Sequence, residues 1–238
     1  MPTVAIIMDG NRRWETENIS RGQSGHEQGA DVALNIINYC ADRDDIDSLF
    51  LFAFSSDNWS RSVDEIDGIY VVIREFIANL PTHLENNIHV EIIGNTCNFP
   101  SDIRDMIESR KKESLTESRL SVYVAMDYTG RNDIVYATQK ICDRVLAGTL
   151  TLDEINPETF AQHLLSSNVP DIDFVIRTGG EMRLSNFTLW QCAYSEFFFV
   201  PSYGRILPFN ILKVQCYNFI VDIDVLVPDS SSDLVKYE

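Results

Sequence analysis

Short apolar runs alternate with longer amphipathic stretches along most of this chain. The runs at 4–8, 48–54 and 120–126 are almost wholly apolar and rich in β-branched or aromatic residues, which is typical of strands buried on both faces. Shorter runs predict further strands at 88–93, 174–176 and 197–200. Most of these runs end in a polar or glycine-containing segment, as expected where a strand gives way to a connection.

Apolar residues at helical spacing predict amphipathic helices between the strands. The predicted helices cover residues 29–42, 64–80, 101–113, 133–146 and 157–167. Strands that alternate with helices of this length indicate βαβ units. The pattern therefore predicts an α/β fold: a single domain over residues 1–238, with a central, mostly parallel six-stranded sheet flanked by helices.

Composition and charge narrow the class of protein. With 238 residues and 45% hydrophobic content the chain can bury a large core, and it has no apolar run long enough for a membrane span. Five scattered cysteines without a C-x-x-C motif, and an N-terminus without signal-peptide features, favour a reduced, cytoplasmic protein without a zinc site. The net charge of −17 argues against nucleic acid as a partner and against attraction to anionic lipid.

Polar loops follow the first, second, fourth and fifth predicted strands. In a parallel sheet these loops meet at one edge, where open α/β folds bind their ligands. The side chains in them suit a diphosphate and a divalent ion. The candidates are Asp9 for the ion and Asn11, Arg13, Arg177, Arg183 and Ser185 for the phosphate oxygens. A single Asp-Gly after a strand is usually an ordinary connection, whereas several such loops together favour a common site.

Several sequence blocks resemble the cis-prenyltransferase family, which includes the undecaprenyl and dehydrodolichyl diphosphate synthases. They are IIMDGNRRW at 6–14, GHEQGA at 25–30, FAFSSDNWSR at 52–61, DYTGRNDI at 127–134 and IRTGGEMRLSNFTLWQCAYSEFFF at 176–199. The resemblance implies that isopentenyl diphosphate is added to an allylic diphosphate, giving a (poly)prenyl diphosphate for a lipid glycan carrier. It also implies Mg²⁺, a homodimer, an apolar tunnel for the product, and membrane contact that is peripheral and made through that product.

The resemblance assigns roles to the first two blocks by position. Asp9 resembles the aspartate that positions Mg²⁺ and the allylic diphosphate, and His26 resembles a histidine beside that site. A lone histidine in a loop is otherwise usually a surface residue. The segment after Asp9 resembles the family's substrate-binding cradle, which here comprises Gly10, Asn11, Arg12, Arg13 and Trp14.

The later blocks supply the remaining candidates. Asn58 is predicted to be catalytic and Arg61 to contact substrate, whereas Trp59 beside them fits ordinary core packing equally well. By the same resemblance, the residues that grip the isopentenyl diphosphate and reach its Mg²⁺ are Arg177, Arg183, Ser185 and, for the metal, Glu196.

The apolar tunnel has many candidate residues, and for each of them plain core packing is the simpler explanation. They are Ile36, Ile37, Leu49, Leu51, Ile69, Val72, Ile73, Ile92 and Val124. Residues 200–238 depart from the family, because they lack its Arg-x-Gly and because 219–227 has the composition of a strand. Two alternatives therefore stay open: a short-chain or irregular prenyl diphosphate synthase on the same fold, and a non-catalytic partner subunit.

Overall fold

The structure is a computed structural model and describes residues 1–10, 25–81, 87–112, 118–201, 212–216 and 219–223. Residues 1–205 form one compact unit and residues 206–238 a second. The strands of the first unit are β1 (Thr3–Ile7), β2 (Ser48–Ser55), β3 (Ile88–Ile93), β4 (Leu120–Tyr128), β5 (Phe174–Arg177) and β6 (Glu196–Phe199). Its helices are α1 (Gly25–Ala41), α2 (Val63–Asn79), α3 (Ser101–Lys112), α4 (Gly130–Leu146) and α5 (Pro157–Ala161).

The six strands form one parallel sheet in the order β3-β4-β2-β1-β5-β6. This confirms the predicted fold class. Strand β1 lies between β2 and β5, and all five of its residues are buried, which explains why its sequence is continuously apolar. In the register of β1 and β5, Ile7 is opposite Arg177, so the chain that follows β1 emerges beside the chain that follows β5.

Aromatic rings fill the core on one face of the sheet. Phe50 of β2 is wholly buried and its ring centroid lies 4.7 Å from that of Phe187, 5.9 Å from Tyr128 and 6.4 Å from Tyr123. Elsewhere α1 contacts β2, β4 and α2, and α2 in turn contacts α3. The helices therefore cover the sheet through the apolar stripes that the sequence predicts.

Three boundaries differ from the sequence-based prediction by three residues or more, and two of these differences have a tertiary reason. The predicted loop at 127–132 is reduced to Thr129, because β4 continues through Tyr128 and α4 begins at Gly130. Gly130 allows this start: a Cβ there would lie 2.3 Å from the Phe187 carbonyl oxygen, and its N–H donates to Asn186 at 2.8 Å. Helix α1 begins at Gly25, so His26 belongs to a helix and not to a loop.

The third boundary is the end of α5, which stops at Ala161 and not near residue 167. The backbone N–H of Leu165 donates to the Asp133 carboxylate at 2.6 Å, and the Ser166 hydroxyl donates to the same carboxylate. These contacts replace the helical ladder for that stretch.

The second unit contains an antiparallel hairpin, β7 (Leu212–Cys216) and β8 (Phe219–Ile223), with Leu212 opposite Ile223. The predicted strand at 219–227 is thus present over 219–223 within the described residues. That residues 1–238 constitute a single domain stays a prediction. None of the helices in the described ranges combines the length and apolarity that crossing a bilayer requires.

Candidate active site

The candidate site lies where the chain leaves two neighbouring strands in opposite directions. From β1 the chain passes to β2 on one side, and from β5 it passes to β6 on the other. Such a topological switch point opens a crevice at the carboxyl ends of the strands, where α/β proteins bind ligands. Asp9 follows β1 by two residues and Arg177 is the last residue of β5, so both lie at this crevice.

An ion pair joins Asp9 and Arg177. The Arg177 Nη2 donates to Asp9 Oδ2 at 2.6 Å, although the two residues are 168 positions apart in the sequence. The Arg177 side chain is only 3% exposed, whereas that of Asp9 is 34% exposed. A buried guanidinium is therefore balanced by a carboxylate that reaches solvent.

Arg177 is held by further contacts on its other side. Its Nη1 donates to Ser185 Oγ at 2.7 Å and also to the backbone carbonyl of Arg183. Its Nε is buried and has no hydrogen-bond partner among the described residues. Of the predicted arginine-loop residues, the structure thus brings Arg177 and Ser185 directly together with Asp9.

Thr178 is a site residue that the sequence reasoning missed. Its hydroxyl accepts from the Asp9 backbone N–H at 3.0 Å and donates to the Asp9 carbonyl at 2.9 Å. The Gly10 N–H donates to Asp9 Oδ1 at 2.7 Å. The Thr178 hydroxyl thus fixes the backbone of Asp9, and the Gly10 N–H fixes its carboxylate. The only signal for Thr178 in the sequence is its position between a strand end and two glycines.

The loop after β5 takes its shape from left-handed backbone positions. Gly179 and Gly180 have φ of 86° and 75°, and Ser185 has φ of 49°. A non-glycine residue in this region costs of order 1–3 kcal/mol and is most often found at functional sites. Here that conformation accompanies the contact of the Ser185 hydroxyl with Arg177.

Arg183 lies at the outer side of this loop. It is 60% exposed and its guanidinium pairs with the carboxylate of Glu181, which is 36% exposed. Because exposed ion pairs contribute little stability, an incoming anion can displace Glu181 at small cost. Glu181 was not among the residues predicted from the sequence.

Several predicted residues lie outside what the structure describes. Asn11, Arg12, Arg13 and Trp14 fall in the undescribed segment 11–24, and the side chain of His26 is likewise outside the described part. Their roles stay predictions.

Asn58 and Arg61 lie in the turn that follows β2. Asn58 Oδ1 accepts from the Ser55 N–H at 2.9 Å and so caps a short 3₁₀ helix at Ser56–Ser60. The structure therefore gives Asn58 a capping role, and its catalytic role stays a prediction. Arg61 is half-buried at the end of this turn. Trp59 packs against Phe54 with ring centroids 4.8 Å apart, in agreement with its reading as a packing residue.

The two predicted metal ligands lie at opposite ends of the sheet. Glu196 begins β6 opposite Phe174, the first residue of β5, whereas Asp9 lies beside the last residue of β5. At about 3.3 Å per residue this separates them by roughly 10 Å along the strands. Within one chain a single ion does not bind both. The described residues contain no cluster of three histidine, cysteine or acidic side chains that could form a complete metal site.

Asp9 is the residue at this edge that would hold a metal ion, and in the structure its Oδ2 accepts from Arg177. Mg²⁺ keeps several waters and is often bound through one or two carboxylates together with the phosphates of a substrate. A solvent-reaching carboxylate beside an arginine is suited to such a shared ion.

Met8, the residue before Asp9, is one of the residues that line an apolar cavity of about 100 Å³. The cavity is also lined by Gly29, Ala30 and Ala33 of α1, by Leu51, Phe52 and Ala53 of β2, and by Ile69, Val72, Ile73 and Phe76 of α2. Of the predicted tunnel residues, Leu51, Ile69, Val72 and Ile73 therefore line it. The other five do not, and Ile37, Leu49 and Val124 among them are fully buried core. The sequence signal that was missed is the small residues on the first turns of α1.

The fold and this site together define a class of α/β protein with an Asp9–Arg177 ion pair at the carboxyl edge of its sheet and an apolar cavity between that sheet and two helices. Residues 7–204 match the family model described as putative undecaprenyl diphosphate synthase, and the chain belongs to this family. The resemblance found in the sequence blocks is thereby confirmed.

Named relatives agree with this assignment. The chain is 37% identical over 201 residues to a ditrans,polycis-undecaprenyl-diphosphate synthase ((2E,6E)-farnesyl-diphosphate specific) of Micrococcus luteus, covering 84% of this chain and 80% of that protein. It is 40% identical over 201 residues to an isoprenyl transferase of Agrobacterium fabrum, covering 84% and 81%. The relatives are transferases, and the protein is a prenyltransferase.

Solved structures confirm the fold. Lavandulyl diphosphate synthase from Lavandula x intermedia, in complex with dimethylallyl diphosphate, matches with a TM-score of 0.78 and 34% identity over 85% of this chain and 88% of that one. A probable undecaprenyl diphosphate synthase from Campylobacter jejuni matches with a TM-score of 0.68 and 30% identity, covering 86% and 88%.

Proposed function

We propose that this prenyltransferase condenses isopentenyl diphosphate with an allylic diphosphate to make a cis-(poly)prenyl diphosphate, the precursor of a lipid glycan carrier. The observation that carries the proposal is the contact of Asp9, Arg177 and Ser185, together with an apolar cavity lined by Met8, the residue that precedes Asp9. The arrangement offers charge and hydrogen-bond donors to a diphosphate head and an apolar space to its tail.

The proposed reaction forms one carbon–carbon bond. The terminal double bond of isopentenyl diphosphate attacks the carbon of the allylic substrate that carries its diphosphate, the carbon–oxygen bond there breaks, and inorganic diphosphate leaves. A proton is lost from isopentenyl diphosphate to leave the new cis double bond. Mg²⁺, when bound, supplies positive charge that stabilises the departing diphosphate.

The residues of this chain bind and orient the two substrates. Arg177 and Ser185 face one another across the β5 loop, and with Arg183 they hold the isopentenyl diphosphate through charge-assisted hydrogen bonds. Asp9 would hold the ion, which would supply positive charge to the allylic diphosphate. Holding both reactants in one orientation lowers the entropic barrier to their reaction.

Product length is set in this proposal by the cavity wall. At about 100 Å³ the cavity is smaller than the 300–1,000 Å³ typical of ligand pockets, so a growing chain requires side chains to move. Ala33 of α1 and Val72 of α2 are positions where added or removed bulk changes the space. The relatives named above favour this elongating reaction over the alternatives raised by the sequence.

We further propose a homodimer that works in the cytoplasm, with peripheral membrane contact through the product. Exposed aromatic residues near the edge strand β6 support a protein interface: Tyr194 is 97% exposed and Phe197 is 40% exposed. An unpaired strand edge with apolar side chains is usually covered in the working assembly. The mass of the protein in solution, measured by light scattering, tests this part.

Incubation of the purified protein with isopentenyl diphosphate, farnesyl diphosphate and Mg²⁺ tests the reaction, with the products sized by chromatography. We expect elongated prenyl diphosphates from the wild type and from Asp171→Asn, an exposed acid before β5. We expect a strong loss for Asp9→Asn. A folded wild type that gives no product under these conditions contradicts the proposal.

A further inference from the structure

A second cavity lies at the carboxyl ends of β2, β3 and β4, and the proposed function does not use it. Its volume is about 610 Å³, which is within the range of 300–1,000 Å³ that is typical of ligand pockets. Its wall is formed mainly by the turn after β2, by residues 94–98 after β3, by residues 127–129 at the end of β4, and by α4. We call it the α4 cavity.

Helix α4 presents one face to this cavity. The lining residues Asn132, Val135, Tyr136 and Gln139 follow one another at the spacing that puts side chains on the same side of a helix. Asn132 and Gln139 are exposed, and Val135 is 54% exposed. This side of the cavity is therefore open to a molecule that arrives from solvent.

Two side chains in the wall have polar atoms that are buried without a hydrogen-bond partner among the described residues. They are Trp59 Nε1 and Thr129 Oγ1. Thr129 is 2% exposed, and its hydroxyl does not cap α4 although the residue occupies the N-cap position. Buried polar groups are normally paired, because leaving one unpaired is unfavourable. Since both residues line the same cavity, a molecule bound there can supply a partner to each.

The backbone at the end of β4 has a conformation that is common at binding sites. Asp127 has φ of 50° and is 4% exposed. Its carbonyl accepts from the Asn95 N–H at 3.1 Å and its carboxylate accepts from Asn98 Nδ2 at 2.8 Å. Non-glycine residues in the left-handed region cluster at sites that hold ligands. These bonds fix Asp127 and the turn after β3 as one side of the cavity.

The chemistry of the wall favours a neutral ligand with several hydroxyl groups. Asp127 is the one formally charged residue among the described residues that line the cavity, so a diphosphate would be repelled. The amides of Asn132 and Gln139 both donate and accept hydrogen bonds, as hydroxyl groups do. The rings of Trp59 and Tyr136 add apolar surface beside these polar groups, which suits the carbon–hydrogen face of a sugar ring.

We propose that the α4 cavity binds a neutral sugar. Trp59 Nε1 donates to one hydroxyl oxygen of the sugar, and the Thr129 hydroxyl shares a hydrogen bond with a second. Neither atom is exposed in the structure, so a rotation of each side chain accompanies binding. Neither Asp9 nor Arg177 is among the described lining residues, so the inference does not depend on the proposed function.

Titration of the full-length protein with N-acetylglucosamine, followed by nuclear magnetic resonance, tests the proposal without any turnover. Each of the three tryptophans gives one indole N–H signal, and Trp59→Phe identifies the signal of Trp59. We expect this signal to shift saturably, with a dissociation constant of about 1 mM for a ligand of this size. Trp190 stacks on Phe160 and is not among the described lining residues, so its signal should stay in place.

A matched pair of variants locates the binding site. Gln139→Trp fills the cavity from α4 and should abolish the shift of the Trp59 signal. Thr138→Trp adds the same side chain at the neighbouring exposed position, which does not line the cavity, and should bind the sugar as the wild type does. Thermal denaturation checks that both variants are folded.

Thr129→Val tests the buried hydroxyl and nearly preserves the shape of the side chain. The dissociation constant should rise about 3- to 10-fold, as expected for one lost hydrogen bond. The thermal midpoint without sugar should not fall, because the Thr129 hydroxyl has no partner to lose among the described residues. A purely structural hydroxyl would give the reverse pattern, a lower midpoint and an unchanged affinity.

Four results would overturn the inference. The first is the absence of a saturable shift at sugar concentrations well above the expected dissociation constant. The second is a shift that persists in Gln139→Trp, since the sugar would then bind elsewhere. The third is the reverse pattern in Thr129→Val. The fourth is a shift caused by tetramethylammonium but not by the sugar, because the cavity would then bind cations through Asp127 and its aromatic rings.

Discussion

Two carboxylates near the carboxyl edge of the sheet are held in contrasting ways. Asp133, in the first turn of α4, is 2% exposed and accepts from neutral donors: the Tyr128 hydroxyl at 2.9 Å, the Leu165 N–H at 2.6 Å and the Ser166 hydroxyl. Asp9 is 34% exposed and pairs with a buried arginine. The first carboxylate is enclosed, whereas the second reaches solvent.

The contacts around Asp133 continue into a closed network. Gln191 Nε2 donates to Ser166 Oγ at 2.7 Å, and the Thr188 hydroxyl donates to Gln191 Oε1 at 2.7 Å. This network ties α4 to the segments that precede and follow β5. Around Asp9, by contrast, the partner Arg177 retains a buried Nε without a hydrogen-bond partner among the described residues. A satisfied network stabilises a fold, whereas an incompletely satisfied one is suited to a ligand.

The largest expected effect on stability comes from Asp133→Ala. It leaves three donors without their acceptor, at about 1–3 kcal/mol each, so the free energy of unfolding should fall by about 3–9 kcal/mol. Urea denaturation measures it. Asp143→Ala, at an exposed position of the same helix, is the matched control, and an equal loss in both variants would show that the network does not stabilise the fold.

Asp9→Asn should reduce the reaction rate strongly and the stability of the fold only slightly. We expect the rate of prenyl diphosphate formation to fall about 10²- to 10³-fold, as when electrostatic stabilisation of a transition state is lost. The free energy of unfolding should fall by only about 1–2 kcal/mol, because Asp9 is partly exposed and Arg177 keeps its bonds to Ser185 and Arg183. Steady-state kinetics and urea denaturation on the same sample measure both, and a stability loss as large as that of Asp133→Ala would erase the contrast.

Thr178→Val tests the contacts that position Asp9. It removes both hydrogen bonds between the hydroxyl and the Asp9 backbone, so we expect the free energy of unfolding to fall by about 1–2 kcal/mol. Turnover should fall about tenfold, since a misplaced catalytic group loses rate steeply with distance. Thr178→Ser keeps the hydroxyl and should retain most of the activity; equal losses in the two variants would assign the effect to the methyl group.

The smallest expected effect is a change in stability at alkaline pH, and it tests the network around Asp133. Burial, and secondarily the charge of Asp133, raises the pKa of Tyr128 above its usual value. Above about pH 10 the unfolded chain therefore loses a proton that the folded protein keeps, so this contribution to stability is complete below about pH 10 and declines above it.

Between pH 10 and 11.5 the free energy of unfolding should fall less steeply with pH in Tyr128→Phe than in the wild type. The difference in slope should be up to about 1.4 kcal/mol per pH unit. Burial also raises the pKa of Tyr123, so the slope should decrease without vanishing. Urea denaturation across this pH range measures the slope. Tyr136→Phe, the same change at a half-buried tyrosine of α4, is the control, and an unchanged slope in Tyr128→Phe would contradict the prediction.

Much of the fold follows from local pattern. The apolar run before Asp9 has one structural use in a chain of this composition, a strand buried on both faces, and the loops after parallel strands necessarily share an edge. The contact of Asp9 with Arg177 does not follow, because it requires β1 and β5 to be neighbours across 168 residues. Nothing local encodes that order.

The same limit explains the other discrepancies. Helix α4 begins at Gly130 because a distant turn at 186–189 packs onto that glycine. Helix α5 does not continue to residue 167, because Asp133 accepts from the backbone N–H of Leu165. Thr178 became a site residue through contacts with a strand near the other end of the chain. In each case a tertiary contact overrides the local pattern.

The position of β1 has a consequence for the order of assembly during synthesis. This strand is made first, yet one of its two neighbours in the sheet, β5, is made only when translation reaches residues 174–177. Contacts this distant in sequence form late, since a long loop must close before they are made. Until then β1 has a single neighbour and Asp9 lacks its arginine. A nascent or truncated chain that stops before β5 therefore contains four of the six strands but not the Asp9–Arg177 ion pair, and during refolding the formation of that ion pair would report the pairing of β1 with β5.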